Sequence, residues 1–139
     1  CHHPIIYTQE DFVKKTYDIT NGQGVPVVFD SVGKDTFHKS LECLCPLGLL
    51  VSYGQSSGKI PPFDVLELAK KSNFLTRPSL AFYNANRTDL IMAATDVFEA
   101  IRQNVLKPKI THKIALQNAS HAHNLLESKT SMGSIILVP

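Results

Sequence analysis

The chain has 139 residues, of which 43% are hydrophobic and 19% charged, and its net charge is +2 at neutral pH. This length predicts one domain, and the apolar share excludes a disordered or collagen-like chain. The apolar runs are too short to cross a bilayer. So mild a charge gives no indication of nucleic-acid binding, which requires clustered basic residues.

The three cysteines are Cys1, Cys43 and Cys45, and no signal-peptide pattern follows Cys1. An odd number of cysteines without a secretion signal indicates a reducing compartment, so we expect a cytoplasmic location. His38 lies near Cys43 and Cys45, but a structural zinc site usually needs four ligands, often from Cys-x-x-Cys pairs, which the chain lacks. We therefore expect no metal site. Because Cys1 is followed directly by an apolar run, we also expect the chain to be part of something longer.

The first 80 residues alternate between apolar runs and helix-like spacing. Continuous apolar runs, which are typical of buried parallel strands, predict strands at residues 5–7, 25–30, 49–53 and 74–82. A helix capped by Thr8 is predicted between the first two strands, and it stops at Asn21-Gly22. A second helix is predicted to bury Phe37, Leu44 and Cys45, and a short third helix to cover residues 64–71.

The remaining residues predict a similar alternation on a smaller scale. The longest helix is predicted at residues 89–104 with Thr88 as its cap, and a half-exposed strand follows at residues 110–116. Asn118 or Ser120 is predicted to cap a helix through Glu127, and residues 134–138 to form a final strand. Strands that alternate with helices through short connections predict an α/β fold with a parallel sheet.

Ligands of open α/β sheets bind at the carboxyl ends of the strands. Two such ends are recognisable, at residues 30–33 and 53–58, and both carry small residues that allow a close approach. Neither has the Gly-x-Gly-x-x-Gly spacing of a nucleotide-binding loop, and no Walker motif is present. The pattern alone therefore predicts a ligand-binding edge without naming the ligand.

Three ordered segments carry a family resemblance: VFDSVGKDTF at residues 28–37, VSYGQSSG at 51–58 and FLTRPSL at 74–80. They resemble the quinone oxidoreductases, the zeta-crystallin-like, zinc-free branch of the medium-chain dehydrogenase/reductase superfamily. The final residues, from LESK at 126–129 to the carboxyl-terminal IILVP, are similar to the end of that family's chain. The resemblance covers essentially the whole sequence.

The resemblance implies the second half of a Rossmann-like, doubly wound parallel sheet with strand order 3-2-1-4-5-6. Residues 5–7 would form the family's third strand, and residues 25–30, 49–53 and 73–80 its fourth to sixth strands. Residues 1–80 would then be a partial NADPH-binding domain. Residues 81–139 would return to the GroES-like catalytic domain. The first two strands and the glycine-rich loop have no counterpart in the chain, which leaves the third strand without a neighbour.

The resemblance implies NADPH as the cofactor and hydride transfer to a quinone or related enone, without a catalytic triad or a metal. Ser31 and Val32 would lie near the adenosine, and Tyr7 at the adenine-ribose end. The residues expected near the nicotinamide ribose are Tyr53, Gly54 and Ser56. Phe74 and Leu75 would meet the carboxamide through backbone groups. Lys129 stands where relatives often carry arginine, as a further cofactor contact.

Three functions stay open at this stage. The first is an NADPH-dependent quinone reductase whose carboxyl-terminal part, taken alone, is inactive because half of the cofactor cradle is missing. The second is an enoyl reductase of the same superfamily. The third is a dimerisation or nucleotide-binding module without independent catalysis. The family resemblance also implies a homodimer through the edge strand 74–80, and we expect no nucleic-acid or membrane partner.

Overall fold

The computed structural model describes residues 1–128 and 130–139. The chain consists of two compact units, Cys1–Phe82 and Tyr83–Pro139. Each unit contains parallel strands that are connected through helices. The predicted α/β class is therefore confirmed.

The first unit is a three-stranded parallel sheet in the order β1-β2-β3, with helices in the connections. Its elements are α1 Phe12–Ile19, β1 Val25–Asp30, α2 Phe37–Glu42, β2 Leu44–Ser52, a 3-10 helix Val65–Lys70 and β3 Phe74–Thr76. A short helix, α3, covers Leu80–Tyr83. The predicted strand at residues 25–30 is confirmed, because this β-branched run forms β1.

The core of the first unit lies on one face of the sheet. Phe37 of α2 packs there with Leu44 and Leu50 of β2, and all three side chains are almost fully buried. Asp30 is paired in register with Ser52, so the two parallel strands end side by side at their carboxyl ends. Phe29 points to the opposite face and is 72% exposed. Its partner in β2, Val51, is only 8% exposed, so this second face is open at β1 and covered at β2.

The first helix starts later than the sequence predicts. Asp11, not Thr8, is the N-cap, because its carboxylate accepts hydrogen bonds from the N–H groups of Val13 and Lys14 at 3.1 and 3.3 Å. Asn21 and Gly22 follow the helix with φ of +51° and +81°. The predicted stop at Asn21-Gly22 is confirmed, because that left-handed conformation suits asparagine and glycine.

The prediction of a strand at residues 5–7 is wrong. Ile6 instead begins a turn, in which its carbonyl accepts from the N–H groups of Gln9 and Glu10 at 2.8 and 2.9 Å. No strand of the described chain pairs with these residues in a sheet. A three-residue apolar run without a partner strand satisfies its backbone locally, and here it does so as a turn.

The second helix is shorter and the second strand longer than predicted. The helix ends at Glu42, and Leu44 already pairs with Val25 of β1. The N–H of Val25 donates to the carbonyl of Cys43 at 2.9 Å, and Lys71 Nζ donates to the carbonyls of Glu42 and Leu44. These contacts with other segments favour extended backbone at residues that the helical spacing assigned to α2.

The third strand is also shorter than predicted, since β3 ends at Thr76 and does not extend to residue 80 or 82. Pro78 has no N–H to donate to a neighbouring strand. The chain then forms α3, which includes Leu80 and the residues that follow it up to Tyr83. The predicted short helix at residues 64–71 is present as the 3-10 helix, with Asp64 as its cap.

The second unit is a strand–helix–strand arrangement that follows a long helix. Its elements are α4 Arg87–Arg102, β4 Ile110–Ala115, α5 Ala119–Glu127 and β5 Ser134–Val138. The strands β4 and β5 are parallel, as predicted, and the predicted bounds of β5 are confirmed. Asn86 caps α4 by accepting from the N–H of Asp89 at 2.8 Å, so the predicted Thr88 cap is wrong. In the described residues, no helix combines the length and the hydropathy that a membrane crossing requires.

Candidate functional site

The segments that follow β1 and β2 are hydrogen-bonded to each other at the carboxyl edge of the sheet. The N–H groups of Tyr53 and Gly54 donate to the carbonyl of Asp30 at 2.9 and 3.2 Å. Further along, the N–H of Ser56 donates to Ser31 and that of Ser57 to Val32, at 3.3 and 2.9 Å. The two strand ends singled out in the sequence therefore form one continuous edge.

Gly54 allows these two segments to approach each other. A Cβ atom at this position would overlap the carbonyl oxygen of Ser31 and lie only 2.8 Å from the Ser31 Cα. The obstacle is backbone, which cannot rotate aside as a side chain can. Only glycine therefore fits at this contact.

Asp30 organises the turn that leads from β1 into α2. Its side chain is buried, at 4% exposure, and its Oδ1 accepts from the N–H groups of Val32 and Gly33 at 2.8 and 3.0 Å. The hydroxyls of Thr36 and Ser40 donate to Oδ2, both at 2.8 Å. The carboxylate thus fixes both the turn and the start of the helix.

The same contacts determine the charge state of Asp30. Burial by itself raises the pKa of this carboxyl, but the hydrogen bonds from Gly33, Ser40, Thr36 and Val32 outweigh burial. The pKa of Asp30 therefore lies below its ordinary value. Asp30 is ionised at neutral pH and carries a fixed negative charge beneath the turn.

A groove of about 350 Å³ opens beside this turn. Tyr7, Ser31 and Val32, which the sequence singled out, all line it, although they come from two different segments of the chain. Phe12 and Val28 contribute apolar walls. The groove therefore combines an aromatic ring and hydroxyl groups with an apolar surface.

Tyr53, Gly54 and Ser56 lie beside the groove without lining it, and they are connected to its turn by the backbone hydrogen bonds given above. The side chain of Tyr53 is about half exposed. Six of the singled-out residues are thus gathered at one edge of the sheet. These are Tyr7, Ser31, Val32, Tyr53, Gly54 and Ser56.

Phe74 and Leu75 lie elsewhere on the sheet. They belong to β3, where they pair with Leu49 and Leu50, so they stand before the carboxyl end of β2. Leu75 lines a separate pocket. Lys129 lies outside the described residues.

Two residues of this edge were not singled out as site residues from the sequence. Asp30 is the first, and the signal for it was an acidic residue at a strand end, followed by hydroxyls at Thr36 and Ser40. Arg77 is the second, because its Nη1 donates to the carbonyls of Ser52 and Gly54 at 2.7 and 3.2 Å. A backbone partner of this kind leaves no mark in the sequence.

The chemistry of a metal site is not supplied by the described residues. Among residues 1–128 and 130–139, no group of three or more His, Cys, Asp and Glu side chains is arranged to hold a metal ion. Burial raises the pKa of the Cys43 thiol, which disfavours the thiolate that zinc requires. These residues do not fit a zinc ion, and no catalytic step is assigned to one.

Comparison with known proteins agrees with this architecture. The profile of a family described as zinc-binding dehydrogenase matches residues 1–137. The 2-haloacrylate reductase of a Burkholderia species is 40% identical over all of this chain, and quinone oxidoreductase 1 of Escherichia coli K12 is 41% identical over 97% of it. The crystal structure of Escherichia coli quinone oxidoreductase complexed with NADPH superposes on 97% of the chain with a TM-score of 0.93.

The chain spans about 42% of the length of each of these relatives. The resemblance to the quinone oxidoreductases that the three sequence segments indicated is confirmed. The chain therefore belongs to the zinc-binding dehydrogenase family and matches a carboxyl-terminal part of the quinone oxidoreductases of the medium-chain dehydrogenase/reductase superfamily.

Proposed function

We propose that the carboxyl edge of β1 and β2 is part of the NADPH site of an oxidoreductase that reduces a quinone or a related enone. The observation that carries this proposal is the joining of the turns at residues 30–33 and 53–57 beside a groove lined by Tyr7 and Ser31. Parallel α/β sheets bind their ligands at this edge. The relative of known structure with 41% identity was crystallised with NADPH.

The residues present fit part of such a cofactor. The ring of Tyr7, which is about half exposed, would offer a face to the adenine-ribose end, and the exposed residue Ser31 would offer its hydroxyl to a ribose hydroxyl. Val32 would lie beside the adenosine, while Tyr53, Gly54 and Ser56 would approach the nicotinamide ribose. Under the family resemblance, the remaining contacts would come from the backbone of Phe74 and Leu75 and from Lys129.

When bound, NADPH supplies the hydride, and the role of the chain is to hold and orient the cofactor. The acceptor class is a conjugated carbonyl compound, because relatives at 40% and 41% identity are a 2-haloacrylate reductase and a quinone oxidoreductase. An enoyl acceptor belongs to the same chemical class. Residues 1–139 provide only part of the cofactor-binding site. We therefore propose that the chain alone binds NADPH without catalysing its oxidation.

The cofactor proposal predicts saturable NADPH binding at one edge of the first unit. Hydrogen exchange should slow at Ser31–Val32 and at Tyr53–Ser56 when NADPH is added, because bound nucleotide restricts the opening of both turns. Tyr7→Ala should weaken binding by about tenfold, which corresponds to about 1.4 kcal/mol of lost contact. Hydrogen-exchange mass spectrometry and a fluorescence titration of NADPH measure these effects.

Tyr83→Ala is the matched control, since Tyr83 is an exposed tyrosine in the second unit. Equal weakening by both substitutions, or no NADPH-dependent protection of the two turns, would argue against the site. The same samples test catalysis by the chain alone, for which we expect no NADPH oxidation with a soluble quinone. A steady rate that depends on NADPH and quinone would contradict that part of the proposal.

We further propose that β3 pairs with its twin in a second copy of the chain. It is an edge strand in which Phe74 is 58% and Leu75 is 37% exposed. Exposed edge strands tend to pair with a strand of another chain. Thr76→Lys should convert a dimer to a monomer, because a charged lysine on an edge strand opposes the pairing of that strand with another. Light scattering at high micromolar concentration measures the mass. Thr8→Lys, in an exposed turn, should leave the dimer intact, and a wild-type chain of monomer mass would refute the pairing.

A further inference from the structure

A second pocket, of about 240 Å³, lies at the carboxyl ends of β2 and β3. Phe37, Ile60, Phe63 and Leu75 form apolar walls, and the polar side chains of the lining are Ser52 and Arg77. The rings of Phe37 and Phe63 meet edge to face with centroids 5.1 Å apart, which fixes that side of the pocket. None of these residues lines the groove beside Tyr7.

Ser52 lines this pocket and has a buried hydroxyl group without a partner. Its residue is 2% exposed, and its Oγ is the one buried side-chain nitrogen or oxygen in the described part of the chain without a hydrogen-bond partner. A buried hydroxyl without a partner is costly and uncommon in folded proteins. The position therefore calls for an acceptor or donor that the described chain does not itself supply.

Arg77 provides a positive charge in the same pocket. Its Nη1 is held by the carbonyls of Ser52 and Gly54, while Nε and Nη2 make no hydrogen bond to any described residue. A guanidinium has five N–H donors, so three of them are available to a further acceptor. The guanidinium is thus anchored at one nitrogen and open at the others.

A water molecule bound to Ser52 would find the minimum number of polar side chains in this pocket, Ser52 itself and Arg77. A buried water usually needs two to four polar partners, and apart from Ser52 and Arg77 the side chains that line this pocket are apolar. A flat apolar body with a carboxylate at one end matches the lining better. Its oxygens accept from the serine hydroxyl and the guanidinium, while its ring lies against the apolar wall.

We propose that this pocket binds a small planar monocarboxylate, with Ser52 and Arg77 holding the carboxylate and the ring lying against the apolar wall that includes Phe63 and Leu75. The site is separate from the groove beside Tyr7, shares only Leu75 with the proposed cofactor contacts, and does not depend on that assignment. Its volume lies below the range of drug-sized pockets, so the ligand is of the size of a single ring. Benzoate is a suitable probe.

Titration of the isotopically labelled chain with benzoate, without NADPH, tests the proposal by nuclear magnetic resonance. Saturable amide shifts are expected near residues 52–54, 60–63 and 75–77, with a dissociation constant on the order of 1 mM. Ser52→Ala should weaken binding by about fivefold, as expected for one lost hydrogen bond, and should not impair folding because it removes an unpartnered hydroxyl. Neutral benzamide should bind more weakly than benzoate.

Ser79→Ala serves as the control, since this exposed serine lies outside the pocket. It should leave benzoate binding unchanged. Shifts that do not saturate, that are scattered over the surface, or that Ser52→Ala leaves unaltered would overturn the proposal. Failure of NADPH binding in the separate titration would not affect it.

Discussion

Replacing Asp30 with alanine should destabilise the first unit by at least about 3 kcal/mol. The substitution leaves the N–H groups of Val32 and Gly33 and the hydroxyls of Thr36 and Ser40 without their acceptor in a buried position. Urea unfolding followed by circular dichroism gives the free energy of unfolding. Hydrogen exchange at residues 30–36 assigns the loss to this unit.

Asp35→Ala is the matched control, because Asp35 lies five residues further along the chain and is exposed. Its effect should stay within about 0.5 kcal/mol. Asp30→Asn should cost less than Asp30→Ala, about 1–2 kcal/mol, since the hydroxyls of Thr36 and Ser40 can rotate to accept from the amide. A loss for Asp30→Ala no larger than that of the control would show that the carboxylate does not organise the turn.

The low pKa of Asp30 also predicts how the stability of the first unit depends on pH. Because its pKa is lower in the folded chain than in the unfolded chain, the carboxylate stabilises the fold fully at pH values above its unfolded pKa of about 3.9. That contribution is lost as the pH falls through the folded pKa. The difference in stability between the wild-type chain and Asp30→Asn should therefore shrink in acid.

Gly54→Ala should have the largest effect on the proposed cofactor site. Its Cβ would lie 2.8 Å from the Cα of Ser31 and overlap the neighbouring carbonyl, so the two turns must move apart. The hydrogen bonds from Tyr53 and Gly54 to Asp30 would then lengthen. We expect a loss of about 1–3 kcal/mol in stability and a fall of at least about tenfold in NADPH affinity.

Gly22→Ala separates this contact from the general cost of losing a glycine. Gly22 has a φ of +81°, but a Cβ there would meet nothing within 4 Å. The substitution should therefore cost stability through backbone conformation, by about 1 kcal/mol, with NADPH affinity unchanged. Urea unfolding and the NADPH titration measure both variants, and equal losses of affinity would show that the clash is not the cause.

The elements that the sequence predicted well are those whose local chemistry and tertiary contacts agree. The run Val25–Asp30 is apolar and β-branched, and it has β2 beside it. Residues 5–7 carry a similar local signal but pair with no strand of the described chain, and a turn begins at Ile6. Leu44 suits a helix by spacing, yet its pairing with Val25 places it in β2. Such long-range pairing is not visible in local periodicity.

The candidate site shows the same division. Tyr7, Ser31 and Gly54 were recognisable from the family resemblance, and the structure brings their segments to one edge. The hydrogen bonds from Arg77 to Ser52 and Gly54 were not recognisable, because their acceptors are backbone carbonyl groups, which every residue carries. Ser52 was not recognisable either, since the absence of a partner for its hydroxyl is a property of the folded surroundings.

The first sheet has two unlike borders, a six-residue strand on one side and a three-residue strand on the other. Contact between like borders closes into a pair and stops there, whereas contact between unlike borders repeats head to tail and does not close. The same sheet thus allows two kinds of assembly. Pairing of β3 with β3 of a second copy stops at a dimer, whereas pairing of β3 with an uncovered β1 of a second copy can continue into a fibre.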